Sequence, residues 1–98
     1  MATFLVVLLR SGPSYDAGLP LEGQIGWPAH ATFMDELVEA GFIVLGGSLG
    51  DEHRVAHVVE AESEAAVRAT LARDPWSGTH LVVGSIDPWT LRLDARRR

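Results

Sequence analysis

A chain of 98 residues has room for one domain, and at that size much of its surface stays near water unless a partner covers it. An apolar share of 47% and a charged share of 21% suit a globular domain rather than a disordered chain, while a net charge of −5 with only 8 Lys and Arg argues against nucleic-acid binding. The absence of cysteine excludes disulfides, thiolate metal sites and a cysteine nucleophile, and fits a reducing cytoplasm.

Residues 4–9 form an unbroken Val- and Leu-rich run bounded by Ser11-Gly12-Pro13, which predicts a strand buried on both faces. The run has no basic segment before it and is closed by Arg10, unlike a signal peptide, and no stretch nears the ~20 apolar residues of a membrane span. Residues 11–26, punctuated by Gly12, Pro13, Gly18, Pro20, Gly23 and Gly26, predict a long surface loop and a candidate lid. Pro28 suits the first turn of a helix, and His30, Phe33, Met34, Leu37, Val38 and Gly41 then share one stripe. A second strand over 42–45 stops at Gly46-Gly47-Ser48, and a third over 55–59 completes a hairpin. Ser63 caps a second helix that buries Ala66, Val67, Thr70 and Leu71 and ends at Asp74, before Pro75. A fourth strand spans 80–86. Asp87-Pro88 interrupts it, and 89–93 continue as an extended, edge-type segment. Arg96, Arg97 and Arg98 read as a frayed, solvated tail.

The order β, α, β, β, α, β over residues 1–98 predicts a single α+β domain, a ferredoxin-like βαββαβ arrangement with an antiparallel sheet. Two helices cover one sheet face only, so the apolar second face predicts a homodimer with sheets packed face to face.

Right-handed crossovers gather Arg10, His30, Ser48, His53, Asp74 and His80 at one end of the molecule. His30 and Asp74 are the sharpest pair, at the first turn of one helix and the last of the other. A carboxylate beside an imidazole fixes its tautomer and steadies its protonated form, which makes a general base. Alternatively His30 is a hydrogen-bonded core residue and Asp74 a turn opener. Arg10 either clamps a substrate carboxylate or marks the strand's exit to water. Ser48 either offers an anion-binding turn or belongs to a plain hairpin turn. Trp27, Trp76 and Trp89 are core or dimer anchors, or substrate platforms. His53 and His57, four apart on one strand and so roughly 13 Å apart, are too distant to share a metal and read as structural or solvent-facing. Metal, phosphate-loop and dinucleotide motifs are absent.

Trp27-Pro28-Ala29-His30, Gly46-Gly47, Arg73-Asp74-Pro75-Trp76 and Ser85-Ile86-Asp87-Pro88-Trp89, in that order and over nearly the whole chain, resemble the YCII-related (YciI-like) proteins. The resemblance implies a homodimer of the dimeric α/β barrel type, with a His-Asp site at His30 and Asp74. It also implies acid-base chemistry without a cofactor, since the family includes a dehydrochlorinase of a chlorinated muconate-type acid. The chain departs from the family at Trp27, often a basic residue there, and at Ser48, often a proline. Together these readings predict a small cofactor-independent enzyme performing elimination, isomerisation or hydrolysis on a small organic substrate. His30 and Asp74 are its catalytic pair, with Arg10, Ser48, Trp27 and Trp76 around the substrate. The alternative is a dimeric binding protein that holds a small apolar ligand without turnover.

Overall fold

The computed structural model describes residues 1–97 and contains four strands, β1 (Ala2–Leu9), β2 (Ile43–Ser48), β3 (Arg54–Ala61) and β4 (Val82–Pro88), with two helices, α1 (Trp27–Glu39) and α2 (Glu64–Leu71). The strands form one antiparallel sheet in the order β2-β3-β1-β4, an α+β arrangement compatible with the ferredoxin-like fold. In β1 the side chains alternate: Phe4, Val6 and Leu8 are buried, while Leu5, Val7 and Leu9 are half-buried on the other face. The inward row meets Leu37 of α1 and Val67 and Leu71 of α2 in one cluster, so both helices cover the same face. The opposite face is open. It carries Leu5, Val7 and Leu9, with Val58 of β3 across from Leu5 and the exposed Leu45 of β2 beyond it.

Several boundaries differ from those expected. Helix α1 starts one residue before Pro28, after Gly26 in a left-handed conformation (φ 80°), and Val38 lies outside its buried stripe, 53% exposed. Strand β2 does not stop at its glycines. Gly46, Gly47 and Ser48 pair with His57, Ala56 and Val55, because a strand whose neighbour carries a bulky ring can use a residue without a side chain. Helix α2 ends at Leu71 rather than Asp74. The amides of Arg73 and Asp74 donate to Thr70 and Leu71, which tightens the chain into a three-residue repeat before Pro75.

Ser63 does cap α2, its hydroxyl accepting from the Ala66 amide at 3.1 Å. Strand β4 begins two residues later than expected, since the amides of Thr79, His80 and Leu81 all turn back to the Trp76 carbonyl. It also runs through Asp87 and Pro88, which pair with Leu5 and Phe4. Proline is tolerated there because β4 is an edge strand and Pro88 is its last residue. Residues 89–93 are not a strand, and β4 turns Ser85 and Asp87, rather than apolar side chains, beside Val7 and Leu5. Arg96 is paired with Asp94 at 2.7 Å within a short turn, Ala95–Arg97, while Arg98 lies outside the described residues. Among the described residues no helix is long and apolar enough to cross a membrane.

Candidate functional site

The first turn of α1 and the chain just past α2 meet above the sheet, and there His30 and Asp74 touch. His30 Nδ1 lies 2.9 Å from both Asp74 carboxylate oxygens, with the two residues 8% and 6% exposed. A carboxylate only accepts, so Nδ1 carries a proton, and in the neutral ring Nε2 is left with its lone pair. Asp74 serves its turn at the same time: Oδ1 also accepts from the Trp76 amide at 2.8 Å. The two readings of Asp74, turn opener and partner of histidine, hold together in one side chain.

Trp76 is the centre of this packing. Its indole is fully buried and stacks on His30 (4.2 Å between centroids, 7° between planes) and on His80 (4.6 Å, 16°), and its Nε1 donates to the Ile25 carbonyl at 2.9 Å. Trp27 leans on both His30 and Trp76 at 5.8 and 5.9 Å. Gly26 allows that approach, since a Cβ there would sit 3.2 Å from the Trp76 Nε1.

Beneath these rings is a cavity of about 170 Å³. Leu8, Leu21, Trp27, Met34, Val55, Trp76 and Leu81 make its walls apolar; His30, His57 and Arg10 are its polar groups. Arg10 and Leu21 also line an outer vestibule of about 460 Å³ between loop 11–26 and the β2-β3 turn, edged by Glu22, Asp51, Glu52 and His53. The Arg10 guanidinium donates to the Glu52 carbonyl at 2.7 Å and, among the described residues, has no carboxylate partner. Asp51 holds its own turn: amide donation from His53 and then Arg54 keeps its carboxyl below the usual range.

Of the residues expected at the site, His30, Asp74, Trp27, Trp76 and Arg10 come together. Ser48 does not, because it is an exposed strand residue opposite Val55 and lies outside the cavity. Trp89 is 44% exposed and lines a separate surface hollow beside β1 and β4. His53 precedes β3 and is exposed, so it shares no strand with His57.

His57 is the residue that sequence reasoning missed. It is 7% exposed, it lines the cavity, and its buried Nδ1 has no hydrogen-bond partner among the described residues. Its sequence signal was parity: Val55, His57 and Val59 alternate with Ala56 and Val58, which places His57 on the core face. Burial first, then the nearby charges of His30 and Arg10, push its ring down from 6.5 to about 4, so it is neutral at pH 7. Gly46 faces it across the sheet, where a Cβ would fall 2.1 Å from Nδ1.

Gln24 was also missed. Buried in the loop, it donates through Nε2 to the carbonyls of Asp16 and Leu19 and accepts from the Asp16 amide, so it closes residues 16–24 into a compact cover. The same loop is fastened to the chain before β4 by the amides of Gly12 and Ser14, which donate to His80 and Thr79. Among the described residues no three His, Cys, Asp or Glu side chains gather as a metal ion requires.

No known family model, no curated protein and no solved structure matches the chain.

Proposed function

We propose that the protein is a small YCII-related enzyme that works without a cofactor, with His30 as general base and Asp74 as the group that orients it. The observation that carries this reading is the contact of His30 Nδ1 with Asp74 at 2.9 Å, on the wall of a cavity lined mainly by apolar groups. Fixing the proton on Nδ1 leaves Nε2 as the basic nitrogen, and stacking on Trp76 holds the ring plane. An apolar wall beside the base strengthens the electrostatic interactions made against it, which suits proton abstraction from a carbon acid. Elimination, isomerisation and hydrolysis share that first requirement, a correctly held base.

Titration of the histidine rings by NMR tests the coupling. His30, assigned with a His30→Ala variant, should change its titration in Asp74→Asn. If it titrates identically in the two proteins, the dyad is decorative and the assignment fails. His30→Ala should abolish turnover of the substrate with folding retained.

A second reading, a binding protein that holds a small apolar ligand without turnover, is favoured by the excess of aliphatic and indole groups around the cavity. Under that reading His30→Ala lowers affinity and no variant abolishes a reaction. We also propose that a second copy of the chain covers the open sheet face, as a dimeric α/β barrel requires, since Leu5, Val7, Leu9 and Leu45 form an apolar strip there. A stable monomer in sedimentation at micromolar concentration excludes that dimer.

A further inference from the structure

We infer that His57 is a second working group of the cavity: its Nε2–H holds a carbonyl oxygen of the substrate while His30 Nε2 takes the proton from the adjacent carbon. The inference deepens the reading of His30 as a base and rests on it.

Three observations lead there. The residue is more than nine-tenths buried, and among the described residues its buried Nδ1 has no hydrogen-bond partner, so no acceptor holds a proton on that side of the ring. Its Nδ1 and Cε1 edge is turned on Gly46, where a Cβ would fall 2.1 Å from Nδ1 and 2.9 Å from Cε1. A proton on Nδ1 would point at a Cα carrying no acceptor, whereas a lone pair there receives a weak C–H contact; the proton therefore belongs on Nε2. Finally, Nε2 is not sealed by the protein as Nδ1 is, and His57 and His30 line the same cavity.

The two imidazoles thus differ in tautomer. Asp74 puts the His30 proton on Nδ1 and exposes a basic Nε2; Gly46 puts the His57 proton on Nε2 and exposes a donor. A base and a neutral donor on one mainly apolar pocket wall suit a carbon acid next to a carbonyl. The His30 lone pair forms the N–H bond as the carbon–hydrogen bond breaks. The released electron pair becomes the C=C bond of an enolate, and the carbonyl π pair moves to oxygen, where it accepts from His57 Nε2–H. Return of the proton from His30 to carbon closes the step with no other reactant. The positive charge that His30 gains keeps His57 neutral, as the depression of its ring already implies. Arg10, without a carboxylate partner and shared by cavity and vestibule, supplies a cation for a carboxylate on the same molecule. The substrate class is therefore a small oxo acid.

Oxalate, a planar dianion resembling the enolate of a 2-oxo acid, is the probe, and the ring nitrogens of protein carrying 15N-labelled histidine are the readout. In the wild type at pH 7, His57 should carry its proton on Nε2. Millimolar oxalate should shift that nitrogen, and His57→Phe, which keeps a ring in place, should weaken oxalate binding by about tenfold or more. A proton on Nδ1, unchanged oxalate affinity in His57→Phe, or no shift at any ring nitrogen overturns the inference. The tautomer is measured in the wild type, so the result survives a variant that fails to fold. If His57 responds to oxalate but His30 titrates identically in Asp74→Asn, the donor stands and the base reading fails, so the two failures are distinguishable.

Discussion

Acidification should destabilise this protein in part through His57. In the unfolded chain the His57 ring titrates at its ordinary 6.5, whereas in the fold burial, with His30 and Arg10 nearby, holds it at about 4. Between those values the unfolded state binds a proton that the folded state refuses, so the His57 contribution is complete above pH 6.5 and is lost as the pH falls toward 4. At about 1.4 kcal/mol per unit the whole loss is about 3 kcal/mol, and about 2 kcal/mol of it should appear between pH 7 and 5. Against a total stability of about 5–15 kcal/mol that is large. Urea unfolding followed by tryptophan fluorescence at pH 7, 6 and 5, in the wild type and in His57→Phe, measures it. The variant keeps a ring between Gly46 and the cavity but cannot bind a proton, so other titrating groups largely cancel in the difference. The gap between the two proteins should shift by about 2 kcal/mol in favour of His57→Phe as the pH falls from 7 to 5. A gap that stays constant across the three pH values refutes the reasoning, because the ring would then titrate alike in both states.

The remaining predictions concern the supports of the site. Asp74→Ala strips His30 Nδ1–H and the Trp76 amide of their acceptor in a buried setting and should cost about 3–5 kcal/mol in urea unfolding, while Asp74→Asn, which keeps an accepting oxygen, should cost clearly less. Gly46→Ala should cost about 1–3 kcal/mol and displace the His57 ring signals, since the added methyl must move the ring; an unchanged His57 spectrum contradicts the contact. Gln24→Ala should release loop 11–26, seen as faster amide hydrogen exchange at Asp16, which donates to the Gln24 side chain, with the Val6 amide in the core unaffected.

The first strand was legible from its unbroken apolar run, but that run reads as buried on both faces and so hid the alternation that buries Phe4, Val6 and Leu8 more deeply than Leu5, Val7 and Leu9; the Ser63 cap was legible from its local chemistry. The His30 and Asp74 contact was also legible, because crossover handedness fixes which helix ends are neighbours. What escaped reading was non-local. Gly46 and Gly47 weigh against a strand by propensity, and only the His57 ring on the neighbouring strand explains why β2 continues through Gly46. The start of β4 is set by three amides returning to the Trp76 carbonyl, a turn with no strong composition signal. Ser48 was misplaced for the same reason: a glycine pair reads as a turn until its partner strand is known.

The fold and the candidate site are built from the same few groups, and this shapes how any variant must be judged. Trp76 stacks on His30, donates its amide to Asp74, bonds the Ile25 carbonyl before α1 and gathers three amides ahead of β4. Its removal would loosen the loop, the dyad and the strand entry together, so a lost activity in such a variant says nothing about substrate stacking. His57 is different. Its buried Nδ1 has no hydrogen-bond partner among the described residues, so the fold takes no hydrogen bond from that edge of the ring. An interior position with a shape requirement and an unused polar group is where a ligand's demand separates most cleanly from that of the fold.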